Sequence, residues 1–80
     1  MELLHNQPEG INRADHLVTV RANGGTVQLQ YSVGGLDMAD LPDSTYSADA
    51  DEIKKLCQCK MQAVITGNAK VFINEAGGSS

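Results

Sequence analysis

The feature that most constrains this chain is side-chain alternation around two tight turns. From Leu56 to Asn74 the sequence reads LCQCKMQAVITGNAKVFIN. In an extended segment, Cys57, Cys59, Met61, Ala63 and Ile65 share one face, and Gln58, Lys60, Gln62, Val64 and Thr66 share the other. A period of two is the mark of a half-buried strand, because successive side chains point to opposite sides. Gly67-Asn68-Ala69 interrupts the pattern, and Val71 and Ile73 resume it. A three-residue loop there pairs Ile65 with Val71 and Ala63 with Ile73, which keeps the apolar set together.

A second stretch, His16 to Val33, has the same design. Val18, Val20 and Ala22 lead into Asn23-Gly24, and Val27, Leu29, Tyr31 and Val33 follow. Asn-Gly suits a two-residue type I′ turn, whose two central positions need positive φ. Such a turn pairs Val20 with Val27 and Val18 with Leu29. Two amphipathic hairpins facing each other predict an all-β fold, a small antiparallel β-sandwich or flattened barrel with an extended N-terminal arm. The expected core is Val18, Val20, Val27, Leu29, Tyr31, Val33, Ile53, Cys57, Cys59, Met61, Ala63, Ile65, Val71 and Ile73.

The remainder divides around that domain, taken as residues 16–74. Residues 1–15 lack periodicity and read as an arm, with Leu3, Leu4 and Ile11 as apolar anchors for a larger partner. Residues 75–80, EAGGSS, read as a flexible tail. Between the hairpins, Leu36 to Glu52 carries Asp37, Asp40, Asp43, Asp49, Asp51 and Glu52 and no basic residue. That segment is expected as a solvated acidic loop holding a short strand at Ser44–Ser47. In the second hairpin, Val64 and Phe72 fall on the otherwise polar face and pair directly. They are the expected contact patch for a neighbouring subunit.

Eighty residues with net charge −4 form one small body. A core of this size gains from a metal, disulfides or a partner. Cys57 and Cys59, placed i and i+2 on a strand, are read as buried free thiols rather than a disulfide or a zinc site. No calcium-loop spacing occurs among the acids. His5 and His16 read as surface residues. No nucleophile, acid–base pair or phosphate loop is set in a reactive context, so no catalysis, cofactor or metal is expected. The acidic balance argues against nucleic acid, and no apolar run or basic leader indicates a membrane span or export. Self-association is the expected source of extra stability.

Three further stretches carry a resemblance. They are Gln30-Tyr31-Ser32-Val33-Gly34, Asp40-Leu41-Pro42-Asp43-Ser44-Thr45-Tyr46, and Met61 through Val71 (MQAVITGNAKV). Together they resemble small β-sandwich structural proteins of tailed bacteriophages: head-decoration, head-fibre or tail-associated proteins. The resemblance implies a virion component, made in the host cytoplasm. It would bind phage coat, portal or tail proteins and itself, a trimer being favoured, and stabilise the assembly through subunit contacts. A carbohydrate- or peptide-binding β-sandwich module and a small acidic inhibitor of a host enzyme are the alternative expectations.

Overall fold

The computed structural model describes residues 1–76, so most of the expected tail, residues 77–80, lies outside the described residues. Eight strands follow one another: β1 Glu2–Leu3, β2 Glu9–Ile11, β3 Ala14–Arg21, β4 Thr26–Ser32, β5 Ala39–Tyr46, β6 Ala50–Leu56, β7 Cys59–Thr66 and β8 Lys70–Glu75. They form two four-stranded sheets, ordered β1-β8-β3-β6 (sheet A) and β2-β7-β4-β5 (sheet B). Every strand pair is antiparallel. The β-sandwich expected from the sequence is the observed class.

The order has a simple logic. β1 pairs with β8, β2 with β7, β3 with β6 and β4 with β5, as though one long hairpin had been folded about the β4–β5 loop. Rolling that hairpin up adds β8 to β3 and β7 to β4. This is the eight-stranded jelly-roll arrangement.

Both expected hairpins are therefore corrected. β3 and β4 lie in different sheets, as do β7 and β8, so each pair is an arch across the sandwich. Val20 pairs with Val71 and Ala50 rather than Val27, and Ile65 pairs with Val27 rather than Val71. The turn chemistry is nevertheless present: Asn23 and Gly24 have φ of 49° and 82°, and the Gly25 amide donates to the Ala22 carbonyl at 2.7 Å. What redirects β4 is its bond to β7. A Cβ on Gly25 would stand 2.0 Å from the Thr66 carbonyl oxygen, so only glycine permits the approach. The Thr26 amide then donates to Thr66 Oγ1 at 2.9 Å.

The N-terminal segment is part of the body rather than an extended arm. β1 and β2 complete sheets A and B, and Leu3 and Ile11 are buried in the core. Neither is available as a partner anchor. The acidic segment is likewise mostly strand, forming β5 and half of β6, each at a sheet edge. An edge tolerates Pro42 and a row of charges, and both discourage edge-to-edge pairing.

The core fills the space between the sheets. Val18, Val20, Val71, Ile73 and Leu3 from sheet A meet Val27, Leu29, Met61 and Ala63 from sheet B, all at most 1% exposed. Of the other expected core residues, Tyr31, Cys59 and Ile65 are half-buried, while Val33, Ile53 and Cys57 are exposed. For Ile53 and Cys57 the cause is a change of parity, whereas Val33 lies past the end of β4. A bend at Cys57-Gln58 separates β6 from β7, so the inward set shifts from the even positions, ending at Leu56, to the odd ones, beginning at Cys59. Tyr46, Leu56 and Ala69 join the core instead. His16, expected at the surface, is also buried. Its Nε2 bonds the Asn12 carbonyl at 2.9 Å and its Nδ1 has no partner among the described residues.

Candidate functional site

The expected pairing of Val64 with Phe72 is corrected by the topology. Val64 lies on β7 opposite Gln28, on the outer face of sheet B. Phe72 lies on β8 between buried Val71 and Ile73, so it faces outward from sheet A. The pair is split across the two surfaces of the sandwich. Of the five contact residues expected, Phe72 and Leu4 stay near each other: Leu4 follows buried Leu3 at the end of β1 and is 47% exposed.

Phe72 has other company. On β3, Val18 and Val20 point inward, which leaves Leu17 and Thr19 outward. Thr19 is directly opposite Phe72, placing Leu17 on the diagonal. Leu17 in turn stands directly opposite Ile53 of β6, which is 65% exposed. Directly paired and diagonal neighbours on one sheet face are within side-chain reach. An apolar stripe thus crosses β8, β3 and β6 as Phe72, Leu17 and Ile53, with Leu4 beyond its β1 end. Charges border it: Glu2 beside Phe72, Asp51 beside Thr19, and Asp15 beside Lys55. Arg21 and Asp51 form an exposed ion pair at 3.3 Å. Leu17 is recognisable in the sequence as the apolar residue out of phase with Val18 and Val20. Ile53 is not, because its parity depends on the bend at Cys57.

The outer face of sheet B is polar. Gln62 Nε2 donates to Gln30 Oε1 at 2.7 Å, and Gln30 Nε2 donates to Asp40 Oδ1 at 2.9 Å, a chain spanning β7, β4 and β5. Thr45 donates to the Gln28 side-chain oxygen, and the Thr26 and Thr66 hydroxyls are 2.7 Å apart. Val64 sits half-buried within this surface.

A third feature joins the sheets along their β5 and β6 edges. The Tyr46 hydroxyl, from β5, donates to Glu52 of β6. Lys54 Nζ contacts Glu52 Oε1 at 3.1 Å and donates to the Asp43 carbonyl at 3.1 Å. Burial and then the adjacent Glu52 carboxylate push the Tyr46 hydroxyl well above its ordinary range. The hydrogen bond from Tyr46, then that from Lys54, hold Glu52 below the usual carboxylate range. These groups clamp the seam and bear no nucleophile or proton relay into a cavity.

At the opposite end from the two arches, an open cleft of about 740 Å³ is lined by Gly10, Asn12, Ser32, Gly34, Gly35, Leu36, Lys60 and their neighbours. Its lining contains no aromatic side chain. Next to it the Cys57 and Cys59 thiols stand together. Burial and then the neighbouring Cys57 push the Cys59 thiol up to about 11. Comparison with protein-family models, with curated proteins and with solved structures finds no match.

Proposed function

We propose that this chain is a structural subunit of a virion assembly of the tailed-phage kind, acting through contacts between subunits rather than through catalysis. The observation that carries the reading is the Phe72–Leu17–Ile53 stripe on the outer face of sheet A. An apolar band bordered by charges of both signs is the pattern of a protein contact surface. The sheet edges support face-to-face association: β1 and β2 are short, and β5 and β6 carry Pro42 and many charges. Such edges resist strand addition. The jelly roll adds support by analogy, since viral capsid domains use it, although lectins and cupins do too. A stripe that covers a like stripe or a coat-protein surface lowers the free energy of the assembled state by mass action.

Light scattering on the full chain tests the reading. A defined oligomer, together with co-sedimentation on phage heads or tails, is the expected result. A strict monomer at tens of micromolar that binds neither particle refutes it. The binding-module reading draws no support from the open cleft, whose lining holds no aromatic side chain.

A further inference from the structure

The bend between β6 and β7 places three sulfur-bearing residues around one cavity. Cys57, Cys59 and Met61 line a space of about 310 Å³ together with Tyr31, Leu41, Leu56 and Lys55. The three form a gradient of depth. Cys57 is exposed at the mouth, Cys59 is half-buried, and Met61 is fully buried at the floor. Two structural causes bring them together. Cys59 and Met61, two apart on β7, share its inward face. The bend at Cys57-Gln58 then brings Cys57 onto the wall of the same cavity instead of carrying it onward along a strand.

We propose that Cys57, Cys59 and Met61 form a binding site for a soft monovalent cation of the copper(I) class. Thiolate and thioether sulfur select such ions, and the cavity wall offers neither histidine nor carboxylate to attract a hard one. Zinc needs four donors in a closed tetrahedral site. Among the described residues no cluster of three or more His, Cys, Asp or Glu side chains exists to supply them. A monovalent d10 ion accepts two or three sulfurs. Two thiolates and one such cation leave a single negative charge, which the Lys55 ammonium on the same wall offsets.

Binding displaces the thiol protons to solvent. Because the ligands are thiolates, uptake releases protons and strengthens as pH rises. The site lies at the end of the sandwich, where of its lining Lys55 also borders the sheet A stripe, and it does not rest on the self-association reading.

The test is an anaerobic titration of the full, reduced chain with copper(I) buffered by bicinchoninate, with proton release followed in parallel. One ion per chain, withdrawn from the competitor with release of protons, is expected. The double variant Cys57→Ser/Cys59→Ser should fail to withdraw it. Met61→Leu, an exchange of similar volume, should weaken binding by at least roughly the 10–100-fold that loss of a supporting group at a metal site costs. Failure of the unmodified chain to take copper(I) overturns the proposal without recourse to any variant. Unchanged affinity in Met61→Leu also overturns it, since the ion would then sit on the exposed thiols alone. So does tighter binding of zinc(II) than of copper(I) under the same conditions.

Discussion

The two outer faces of the sandwich are built from strands of the same kind and end up opposite in character. On sheet A, the out-of-phase residues of β3, β6 and β8 include Leu17, Ile53 and Phe72, among charged and polar neighbours such as Thr19, Asp51 and Asn74. On sheet B, the same positions of β4, β5 and β7 hold Gln30, Asp40 and Gln62, bonded to one another across three strands, and Gln28, which accepts from Thr45. A sandwich needs only its inner faces apolar. The outward side chains are therefore free to carry another purpose, and the difference between the faces shows where that freedom was used. Sheet B satisfies its polar groups internally. Sheet A presents apolar surface that the described residues leave partly uncovered.

The largest expected effect follows from removing that surface while keeping strand-favouring residues. Leu17→Thr combined with Ile53→Thr should raise the self-association Kd by about 10–100-fold for exposed Ile53, from the roughly 1.5–3 kcal/mol that burial of a large aliphatic group contributes, and by a further, smaller factor for half-buried Leu17. The monomer should stay folded, since threonine is a good strand residue. Sedimentation equilibrium reads the first quantity and circular dichroism the second. An unchanged Kd would mean that contacts between copies are made elsewhere.

Phe72→Ser comes next. Phe72 is half-buried, so part of its area is already used inside the chain. Association should weaken by about tenfold, near 1.4 kcal/mol, with a smaller change in thermal midpoint. Loss of the folded state instead would show that Phe72 serves the body rather than its surface.

The same distinction marks the limit of what could be read from residue order. Alternation in β3, β4, β7 and β8 correctly separated inner from outer side chains at Val18, Val20, Val27, Leu29, Ala63, Val71 and Ile73. It could not tell a hairpin from an arch. In a hairpin two apolar faces lie side by side, and in an arch they face each other, but the period is two in both. Asn23-Gly24 adopts its expected positive φ values and still sends β4 into the other sheet, because Gly25 packs against Thr66 and Thr26 bonds to it across a separation of 40 residues. That partner is set by long-range pairing, which short patterns do not encode. The same ignorance placed Val64 beside Phe72. Leu3 and Ile11 were unreadable for a related reason: β1 has two residues and β2 three, too few to show a period. The Cys57 bend carries no Gly or Pro, so the shift of parity that exposes Ile53 had no local signal.

Sheet B should respond to polar deletions in stability and not in association. Gln30→Ala breaks two bonds, one accepted from Gln62 and one donated to Asp40. A loss of about 0.5–1.5 kcal/mol is expected from denaturant midpoints, the net worth of a typical bond and discounted because the face is wet. A shift in the oligomer equilibrium of comparable size would erase the contrast between the faces.

The seam offers a pH test of whether both faces belong to one cooperative body. Glu52 is held below its ordinary range, so its contribution is present above the unfolded-state value and is lost as pH falls through the folded one. Tyr46 is held above its ordinary value of 10.0, so its contribution is full below that pH and is lost as the unfolded hydroxyl ionises above it. Stability should therefore fall at both acid and alkaline extremes. Glu52→Gln should flatten the acid limb and reduce the alkaline one, because the carboxylate that disfavours tyrosinate is gone. Urea midpoints across the pH range, followed with Tyr46 absorbance, provide the measurement. Two separate transitions, instead of one, would show the sheets unfolding independently.

The smallest effect is the most diagnostic, because it applies the same chemistry to the other face. Val64→Thr on β7 repeats the aliphatic-to-threonine exchange of Leu17 and Ile53, at a site surrounded by Gln28, Gln62 and Thr66. The added hydroxyl meets water and polar neighbours, and the β-branched shape is kept. Stability and self-association should each change by less than about 0.5 kcal/mol, the range of ordinary surface substitutions. If Val64→Thr weakened association as much as Leu17→Thr, the contact surface would include both sides of the sandwich. The polar ladder of sheet B would then be an interface as well, and the apolar stripe would lose its claim to be the distinguishing feature.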